Sequence, residues 1–539
     1  MAKPKTPNQK RKYGELNKRL AKYVMLVESI YEDLNLEAAK IVGITDFTID
    51  SDRPFMWSDY PQTRKRIRDL QERFVEDIGA VIYSGTSEEW KNSNEVQDLL
   101  ANKVLQTYGA TIGKEKYEIL YQPNNDALKA FQQRKDKGFT ISDKLWNQST
   151  LYKQELEEAI SCAIQKGTSA ITLSKQISKY LLDFPQLQKD YKDRFGKASR
   201  AMDCEYRSIR LVASEINMAY RQAENLRWQQ MDFVVGYEIK LSNNHTCNGK
   251  PFQDICDILA GKYLKDFQWT SWHPLCRCYK IPILKTEEEF WEWDGRNEAT
   301  TASVNEVKDV PDAFKKWVLD NQERISTAKK RNTLPYFLRD NKSVYQKITV
   351  ESSISEIVKR ASSVGDEVQS IAERIAIKNG GYVTPINFKS TTSITRKVIT
   401  EGITPYDIKD AVRTTIIVPK SRIEDVLEEL YKTEGFLRLK RQKPESFMGY
   451  SGNIVNIRTT NGLTAEIQVN TERMIFAKER PEDAKRILGK KRWEEIHNET
   501  GMEGGLGHKY YEQWRILDKS SNEALKIVEK SIEYYSHFR

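Results

Sequence analysis

The stretch GNIVNIRTTNGLTAEIQVN, residues 452–470, decides the fold of the C-terminal part of the chain. Apolar and polar residues alternate on both sides of Asn461–Gly462, a pair that is favoured in two-residue hairpin turns. Counting outward from this turn pairs Ile457 with Glu466. Alternation then puts Glu466 and Gln468 on one face of the second strand and the apolar residue between them on the other face. The stretch therefore predicts an antiparallel β-hairpin that carries an acidic side chain.

A second strand signal lies upstream in DIKDAVRTTIIV, residues 407–418. Charged residues give way to a β-branched run, which is typical of a helix-to-strand junction that enters a buried strand. Asp407 and Asp410 lie at its start, where a carboxylate suits Mg²⁺. A carboxylate of Glu466 facing Asp410 would complete the metal and general-base arrangement that phosphoryl transfer needs. The alternative is that Asp407 caps a helix and Asp410 pairs with Arg413.

The stretch KSTTSITRK, residues 389–397, is a candidate phosphate-binding element. Lys389, Ser393 and Lys397 fall at four-residue steps, so on a helix they form one face of cation, hydroxyl and cation. Lysine supplies a mobile point charge, and Arg396 beside it offers a planar fork for phosphate or a surface for stacking on a base. The alternative is an ordinary solvated basic face.

The order of these pieces resembles the synthetase domain of the RelA/SpoT family, and more closely its small toxin-like branch. The resemblance covers residues 352–539. It implies that Lys389, Ser393 and Lys397 contact the phosphates of an ATP donor. It also implies that Asp410 binds a catalytic Mg²⁺.

The same resemblance assigns the acceptor side of the site. Glu466 would supply the catalytic carboxylate, bind Mg²⁺ together with Asp410 and deprotonate the acceptor hydroxyl, and Gln468 belongs to the same strand motif. Tyr450 would stack its ring on the acceptor base. The closing helical segment of the family is matched by Met474, Ala477, Lys478, Glu479, His508 and Tyr511. Among these, His508 is expected to bind substrate.

The sequence departs from the family pattern at one arginine. The family places it five residues after the metal-binding aspartate, where this chain has Thr415, whereas Arg413 follows Asp410 by three residues. The missing cation has three other candidates, Lys440, Arg441 and Lys443, and spacing does not select among them. None of the five histidines is followed by Asp, so the family's hydrolase half is not expected.

The N-terminal part of the sequence has a different pattern of apolar and polar residues. Helical periodicity runs through residues 20–121 and 149–231, followed by two short β-like stretches at 234–241 and 278–284. The pattern predicts a helical domain with a small β-rich end.

A cluster of cysteines and histidines lies in this β-rich end. The candidate ligands of one Zn²⁺ are His245, Cys247, Cys256, His273, Cys276 and Cys278. A tetrahedral zinc ion needs four of them, and we expect Cys247, Cys256, His273 and one of Cys276 and Cys278, because the last two are spaced more tightly than in usual zinc loops. The alternative is a set of reduced, buried cysteines, with His273 bonded to a backbone carbonyl.

The segments around this cluster resemble the Mu F-like phage head morphogenesis proteins, also called minor head proteins. Four segments carry the resemblance in order: RLVASEINMAYRQA (210–223), VVGYEIKLSNNHTC (234–247), DICDILAGK (254–262) and HPLCRC (273–278). With the LPYFLRDN segment (334–341) it extends over about the first 345 residues. The resemblance implies a virion protein, in the capsid interior or at the portal, that passes to the host cytoplasm with the DNA.

Composition sets further limits. A chain of 539 residues exceeds one compact core and is expected to be multidomain. No apolar run approaches the roughly 20 residues that span a bilayer, and no signal peptide is expected, so no membrane partner is predicted. Six cysteines in this length do not suggest a secreted disulfide framework.

We therefore predict four segments. Residues 1–20 form a basic flexible arm, in which seven cations could touch phage DNA or simply be solvated: Lys3, Lys5, Lys10, Arg11, Lys12, Lys18 and Arg19. Residues 21–296 form a mainly α head-protein domain, 297–351 a connector, and 352–539 an α+β, nucleotidyltransferase-like domain with a mixed sheet.

The predicted activity is transfer of the β,γ-pyrophosphate of ATP, with Mg²⁺, to a nucleotide or to the 3′ end of tRNA, as a toxin delivered to the host. The rival hypothesis is a structural virion protein whose C-terminal domain only binds nucleotide, RNA or a capsid partner. A third hypothesis, a nuclease toxin that uses His508, leaves Asp410 and Glu466 without a role.

Overall fold

The structure is a computed structural model that describes residues 6–45, 53–108, 113–163, 169–242, 246–247, 250–286, 288–289, 303–444 and 447–539. The chain divides into two compact units, residues 1–345 and 346–539. The chain is thus multidomain and mostly helical, with a mixed sheet, as predicted.

The first unit is built mainly from helices. Its helices are Gln9–Val42 (α1), Arg64–Tyr108 (α2), Lys114–Leu120 (α3), Asn125–Gln133 (α4), Ile141–Ala163 (α5), Ala170–Leu182 (α6), Phe184–Phe195 (α7), Cys204–Gln230 (α8), Ile255–Leu259 (α9), Asp312–Asp320 (α10), Gln322–Lys330 (α11) and Tyr336–Arg339 (α12). The core of the long helices buries Tyr31 and Leu34 of α1 against α2, α5 and α8. Apolar residues at helical steps explain why these segments pair as helices.

The N-terminal segment differs from the flexible arm expected over residues 1–20. Residues 1–5 lie outside the described residues, and α1 already begins at Gln9, capped by Asn8. Tyr13 and Leu16 are buried against Tyr220 of α8. The apolar side of this segment packs on the first unit, and its basic residues lie among the helix's more exposed positions.

Short antiparallel strands close the first unit. They are Val234–Lys240 (β1), Thr246–Cys247 (β2), Lys250–Pro251 (β3), Gly261–Tyr263 (β4) and Tyr279–Leu284 (β5), with β4, β1 and β5 in one three-stranded sheet and β2 and β3 in a separate two-stranded sheet. The two β-like stretches of the sequence are confirmed as β1 and β5.

The connector predicted over residues 297–351, for which helices of its own were expected, contains α10, α11 and α12 among its described residues. Phe314 of α10 packs against Tyr263 and Phe267, and Phe337 of α12 packs against Trp272. These aromatic contacts bury much of the segment in the first unit. Its last residues enter a helix, Lys342–Ser363 (α13), that continues into the second unit.

The second unit surrounds a mixed sheet. Its helices after α13 are Gly365–Lys378 (α14), Thr391–Glu401 (α15), Ile423–Tyr431 (α16), Glu472–Lys478 (α17), Pro481–Leu488 (α18), Lys490–Thr500 (α19), Leu506–Arg515 (α20) and Asn522–Ser536 (α21). Its strands are Tyr382–Val383 (β6), Asn387–Phe388 (β7), Val412–Ile417 (β8), Phe436–Gln442 (β9), Gly452–Arg458 (β10) and Thr464–Asn470 (β11). The strand order is β6-β8-β11-β10-β9, with β7 also on β8; β8 and β11 pair parallel, and the other pairs among the described residues are antiparallel.

The predicted hairpin is present, but its register was wrong by one residue. Glu466 lies opposite Asn456, and Ile457 lies opposite Ala465. Thr459 and Leu463 close a three-residue loop in which Gly462 has a φ of +80°, the left-handed conformation that such loops place at a glycine. The physical reason is burial, because Ile457 belongs to the core and cannot share a face with a carboxylate.

Two helices hold the tip of this hairpin. Arg360 of α13 donates from Nη2 to the Asn461 carbonyl at 2.5 Å, and the Asn461 side chain donates to the Arg360 carbonyl at 2.8 Å. The Glu367 carboxylate of α14 accepts from the Thr460 hydroxyl at 2.6 Å. We call these three contacts the hairpin clamp.

The two faces of the sheet differ in chemistry. One face buries Ile416, Val455, Ile467 and Val469 in a core shared with α14 and α16. The opposite face carries the polar side chains of the same strands. No helix among the described residues is long and apolar enough to span a bilayer.

Candidate active site

Two lysines and an aspartate from separate elements meet in the second unit. Lys389 Nζ lies 2.5 Å from Asp410 Oδ2, and Lys397 Nζ lies 3.1 Å from Asp410 Oδ1. The three side chains are 20%, 27% and 14% exposed, respectively. Burial acts to raise the pKa of Asp410, but the two ammonium groups outweigh it and lower that pKa below its usual value.

The lysines reach Asp410 in a different way from the predicted helix face. Helix α15 begins at Thr391 with Ser390 as its cap, so Lys389 precedes the helix and its backbone N–H donates to the Ala411 carbonyl at 2.9 Å. Ser393 lies in the first turn, where its hydroxyl accepts from Ser390 at 3.0 Å. Only Ser393 and Lys397 of the predicted trio therefore lie on the helix.

The alternative for Asp410, an ion pair with Arg413, is not what the structure shows, because both carboxylate oxygens face lysines. The alternative for Asp407 is confirmed as a turn cap. Its carboxylate accepts from the Thr404 N–H at 3.0 Å and from the Thr404 hydroxyl at 2.7 Å. Asp407 thus closes its own turn, whereas Asp410 belongs to the cationic cluster.

Glu466 and Gln468 lie on the polar face of β11. The Gln468 side-chain amide donates to Glu466 Oε1 at 2.7 Å, which agrees with the predicted shared face. Pairing with β8 sets Arg413 beside Glu466. Asn456, opposite Glu466, donates to the Lys409 carbonyl at 3.2 Å, so the backbone just before Asp410 runs along the same face.

The register of β9 shows which of the three candidate cations lies on the polar face of the sheet. Lys440 lies opposite Ile454, which itself lies opposite Gln468, so Lys440 shares the polar face with Glu466. Arg441 points the other way and forms an ion pair with Glu424 through contacts of 2.5 and 2.7 Å. Lys443 lies beyond the end of β9. The alternation of β9 and β10 together favours Lys440, which the sequence alone did not single out.

A cavity of about 380 Å³ opens beside this face. Its lining includes Lys440, Tyr450, Gln468, Lys478 and His508. The Tyr450 hydroxyl accepts from Asn470 Nδ2 at 2.8 Å. His508 Nε2 is buried without a hydrogen-bond partner among the described residues. The structure thus brings Tyr450, Gln468 and His508 together, and it adds Lys478 as a lining residue.

The cysteine cluster of the first unit lies between α9 and β5. The Sγ atoms of Cys256, Cys276 and Cys278 lie within 4.8 Å of one another, and His273 Nε2 lies 3.1 Å from Cys256 Sγ. His273 Nδ1 bonds the Pro274 carbonyl at 2.7 Å, which orients Nε2 toward the thiols.

The candidate ligand His245 and the side chain of the predicted ligand Cys247 lie outside the described residues. Cys276 and Cys278 both reach Cys256, although their spacing suggested that only one of them would. Asp254 was missed by the sequence reasoning, and its Oδ2 lies 3.2 Å from His273 Nε2.

Comparison with known proteins points to RelA/SpoT-like synthetases, although no family model matches the chain. The particular relative is a curated protein of Pseudomonas aeruginosa (strain UCBPP-PA14), the (p)ppApp synthetase toxin Tas1. The two are 36% identical over 181 residues, which are 33% of this chain and 41% of that protein. The chain therefore spans less than half the length of this relative. The homology supports a synthetase domain within the present chain.

Two solved structures are also similar. The crystal structure of the complex between the Type VI effector Tas1 and its immunity protein matches 35% of this chain and 97% of the solved chain, at 35% identity and a TM-score of 0.33. The small alarmone synthetase 1 from Bacillus subtilis matches 34% of this chain and 92% of its own, at 15% identity and a TM-score of 0.21.

Proposed function

We propose that residues 346–539 form a pyrophosphotransferase that moves the β,γ-pyrophosphate of ATP to a nucleotide hydroxyl and acts as a toxin. One observation carries the proposal. Lys389, Lys397 and Asp410 form a cationic cluster at the start of β8, and Glu466 projects from the adjacent strand on the polar face. The homology to a synthetase toxin supports the same assignment.

The charges of this cluster indicate how the ATP donor would bind. Lys389 and Lys397 supply six N–H donors and two positive charges for the phosphates of ATP. The carboxylates of Asp410 and Glu466 fit Mg²⁺, a cation that takes one or two protein carboxylates plus phosphate oxygens. When bound, Mg²⁺ would neutralise the charge that develops on the phosphoryl oxygens. Lys440 is the best-placed additional cation on this face.

The transfer step uses Glu466 as the general base. Glu466 takes the proton of the acceptor hydroxyl while that oxygen attacks the β-phosphorus of ATP. The bond from the β-phosphorus to the oxygen that bridges the α- and β-phosphates breaks, and AMP leaves. The products are the pyrophosphorylated acceptor, AMP and one proton.

The acceptor enters through the cavity lined by Tyr450 and His508. The Tyr450 ring offers a stacking surface for a base, and the unpartnered Nε2 of His508 offers a polar contact. Because the relative is named a (p)ppApp synthetase, we propose an adenine nucleotide as the first acceptor to test. A guanine nucleotide and the 3′ end of tRNA are the other acceptors.

The test uses the full-length protein with labelled ATP, Mg²⁺ and each acceptor in turn. Label should move to the acceptor, and Glu466→Gln should reduce the rate by roughly a hundredfold or more. The matched control is Glu424→Gln, since Glu424 pairs with Arg441 away from the polar face. A wild-type protein that transfers no label to any acceptor, and that is harmless when expressed, would leave the rival hypothesis of a binding module.

For the first unit we propose a structural Zn²⁺ held by Cys256, His273, Cys276 and Cys278. Three thiolates and an imidazole are a common tetrahedral zinc set. The three thiols lie in one cluster, and His273 Nε2 lies 3.1 Å from one of them, Cys256 Sγ. This set replaces the sequence-based choice that included Cys247, whose side chain is outside the described residues.

We also propose that residues 1–345 act as a phage head protein, located in the capsid interior or at the portal and delivered with the DNA to the host cytoplasm. Two of the resembling segments contact each other. Arg221 donates to the carbonyls of Cys276 and Cys278 at 2.8 and 2.6 Å, and Asn217 donates to that of Cys276 at 2.9 Å. Mass spectrometry of purified virions tests the location, and absence of the chain from them would contradict it.

A further inference from the structure

Lys478 stands at the end of α17 with its ammonium group at the centre of the polar face. Its Nζ donates to Gln468 Oε1 at 2.8 Å and lies 3.1 Å from Glu479 Oε1. The same Nζ lies 5.5 Å from the centroid of the Tyr450 ring. The side chain is 26% exposed. No step of the proposed transfer uses this lysine.

The two hydrogen bonds of the Gln468 side chain are possible in only one orientation of its amide group. An ammonium group only donates, so it must face the amide oxygen, and a carboxylate only accepts, so it must face the amide nitrogen. Lys478 on one side and Glu466 on the other, at 2.8 and 2.7 Å, therefore fix the orientation of the amide. Without the cation, the amide has no charged partner that holds its oxygen away from Glu466.

Gln468 lies between the ammonium group of Lys478 and the carboxylate of Glu466 and bonds both of them. The cation therefore orients Glu466 through the amide of Gln468.

Lys478 remains charged where it lies. Burial acts to lower the pKa of Lys478, but Tyr450 and Glu479 outweigh it and raise that pKa above the ordinary value. Burial acts to raise the pKa of Glu479, and Lys478 outweighs it, so the two side chains keep each other ionised. The cation therefore persists across the neutral pH range.

We propose that Lys478 is a positioning residue, which sets the orientation of the base Glu466 through Gln468 and holds the Tyr450 ring that receives the acceptor. The inference rests on the proposed transferase function. It adds a residue that lines the proposed acceptor cavity beside Gln468 and Tyr450.

The experiment compares Lys478→Met, Gln468→Leu and the double variant in the full chain. Lys478→Met should lower kcat about tenfold or more, with the KM for ATP unchanged, because a misplaced base costs rate and not donor binding. In the Gln468→Leu background the same change should add less than about twofold, since the two residues act in series. Lys478→Arg, which keeps a donor, should restore part of the rate.

Controls distinguish a failure of the positioning role of Lys478 from a failure of the proposed transferase function. Lys485→Met, which removes another lysine lying over an aromatic ring, at 4.2 Å from the Trp493 centroid, should leave kcat unchanged. Additive losses in the double variant, or a raised KM for ATP, would overturn the positioning role. An inactive wild type would instead overturn the proposed function.

A second variant covers the case in which Lys478→Met does not fold. Gln468→Glu can still accept from Lys478 but cannot donate to Glu466. We expect the same fall in kcat, with the KM for ATP unchanged, because Glu466 loses the hydrogen bond that orients it. An unchanged kcat would contradict the proposal.

Discussion

Replacing Asp410 by asparagine should tighten the binding of ATP in the absence of metal, while it abolishes transfer in the presence of Mg²⁺. In the structure Asp410 occupies both Lys389 and Lys397 through contacts of 2.5 and 3.1 Å. The proposed ATP phosphates need the same two ammonium groups. Without metal, the carboxylate therefore competes with the nucleotide for the lysines.

The size of the effect follows from the two ion pairs. Exposed pairs contribute up to about 1 kcal/mol each, and these side chains are only 14–27% exposed. Removing both pairs should therefore favour ATP by about 2 kcal/mol, or roughly 30-fold in Kd. The asparagine side chain keeps the shape of the site, so the gain reflects charge alone.

Calorimetric titration of ATP in the presence of a chelator measures this Kd. The control is Asp407→Asn, because Asp407 bonds only Thr404 among the described residues and should leave the Kd unchanged. Equal or weaker metal-free binding by Asp410→Asn would refute the competition. Transfer with Mg²⁺ should fall by roughly a hundredfold or more in the same variant.

Three further predictions concern stability and metal content. Cys256→Ser should lose the bound zinc measured by elemental analysis and lower the Tm, whereas Cys162→Ser, outside the cluster, should keep about one zinc per chain; a wild type without zinc would contradict the site. Gly462→Ala should cost about 1–2 kcal/mol in urea unfolding because its φ is +80°, while Gly14→Ala, exposed within α1 with open space at its Cβ, should not destabilise the chain. Burial and nearby carboxylates raise the pKa of Glu205 to about 7, so its stabilising effect is present below about pH 4.3 and lost as pH rises through 7. Glu205→Gln should then stabilise the chain at pH 8 by about 1–3 kcal/mol and have no such effect at pH 4, and equal effects at both values would refute the assignment.

Local patterns were enough for the strands and for the pairing of functional groups along them. Alternation placed Glu466 and Gln468 on one face, and the β-branched run predicted β8. The predicted register of the hairpin was wrong because it rested on the turn preference alone. The Asn461–Gly462 turn suggested a two-residue loop, although Ile457 opposite Glu466 would have put an apolar and a charged residue on the same face. Burial decides between such registers, and the alternation itself held that information.

Contacts between distant segments could not be read from spacing. Lys389 precedes its helix and still meets Lys397, because both side chains converge on Asp410 from another element. Lys478 matched the closing helical segment of the family, but spacing could not reveal its contacts with Gln468 and Tyr450, because both lie ten or more residues away along the chain. The burial of Tyr13, which draws the basic N-terminal segment onto the first unit, likewise depends on residues more than 200 positions away.

The hairpin clamp decides more than the stability of a turn. A two-residue loop and the observed three-residue loop give strand registers that differ by one residue. A shift of one residue between β10 and β11 would turn Glu466 toward the apolar core. Arg360 and Glu367, about a hundred residues upstream, bond Asn461 and Thr460 at the tip of the observed loop. These contacts from α13 and α14 add to the burial of Ile457 in stabilising the observed register. A fragment that lacks Arg360 loses its contacts with Asn461, so the proposed transfer activity is best tested in the full chain.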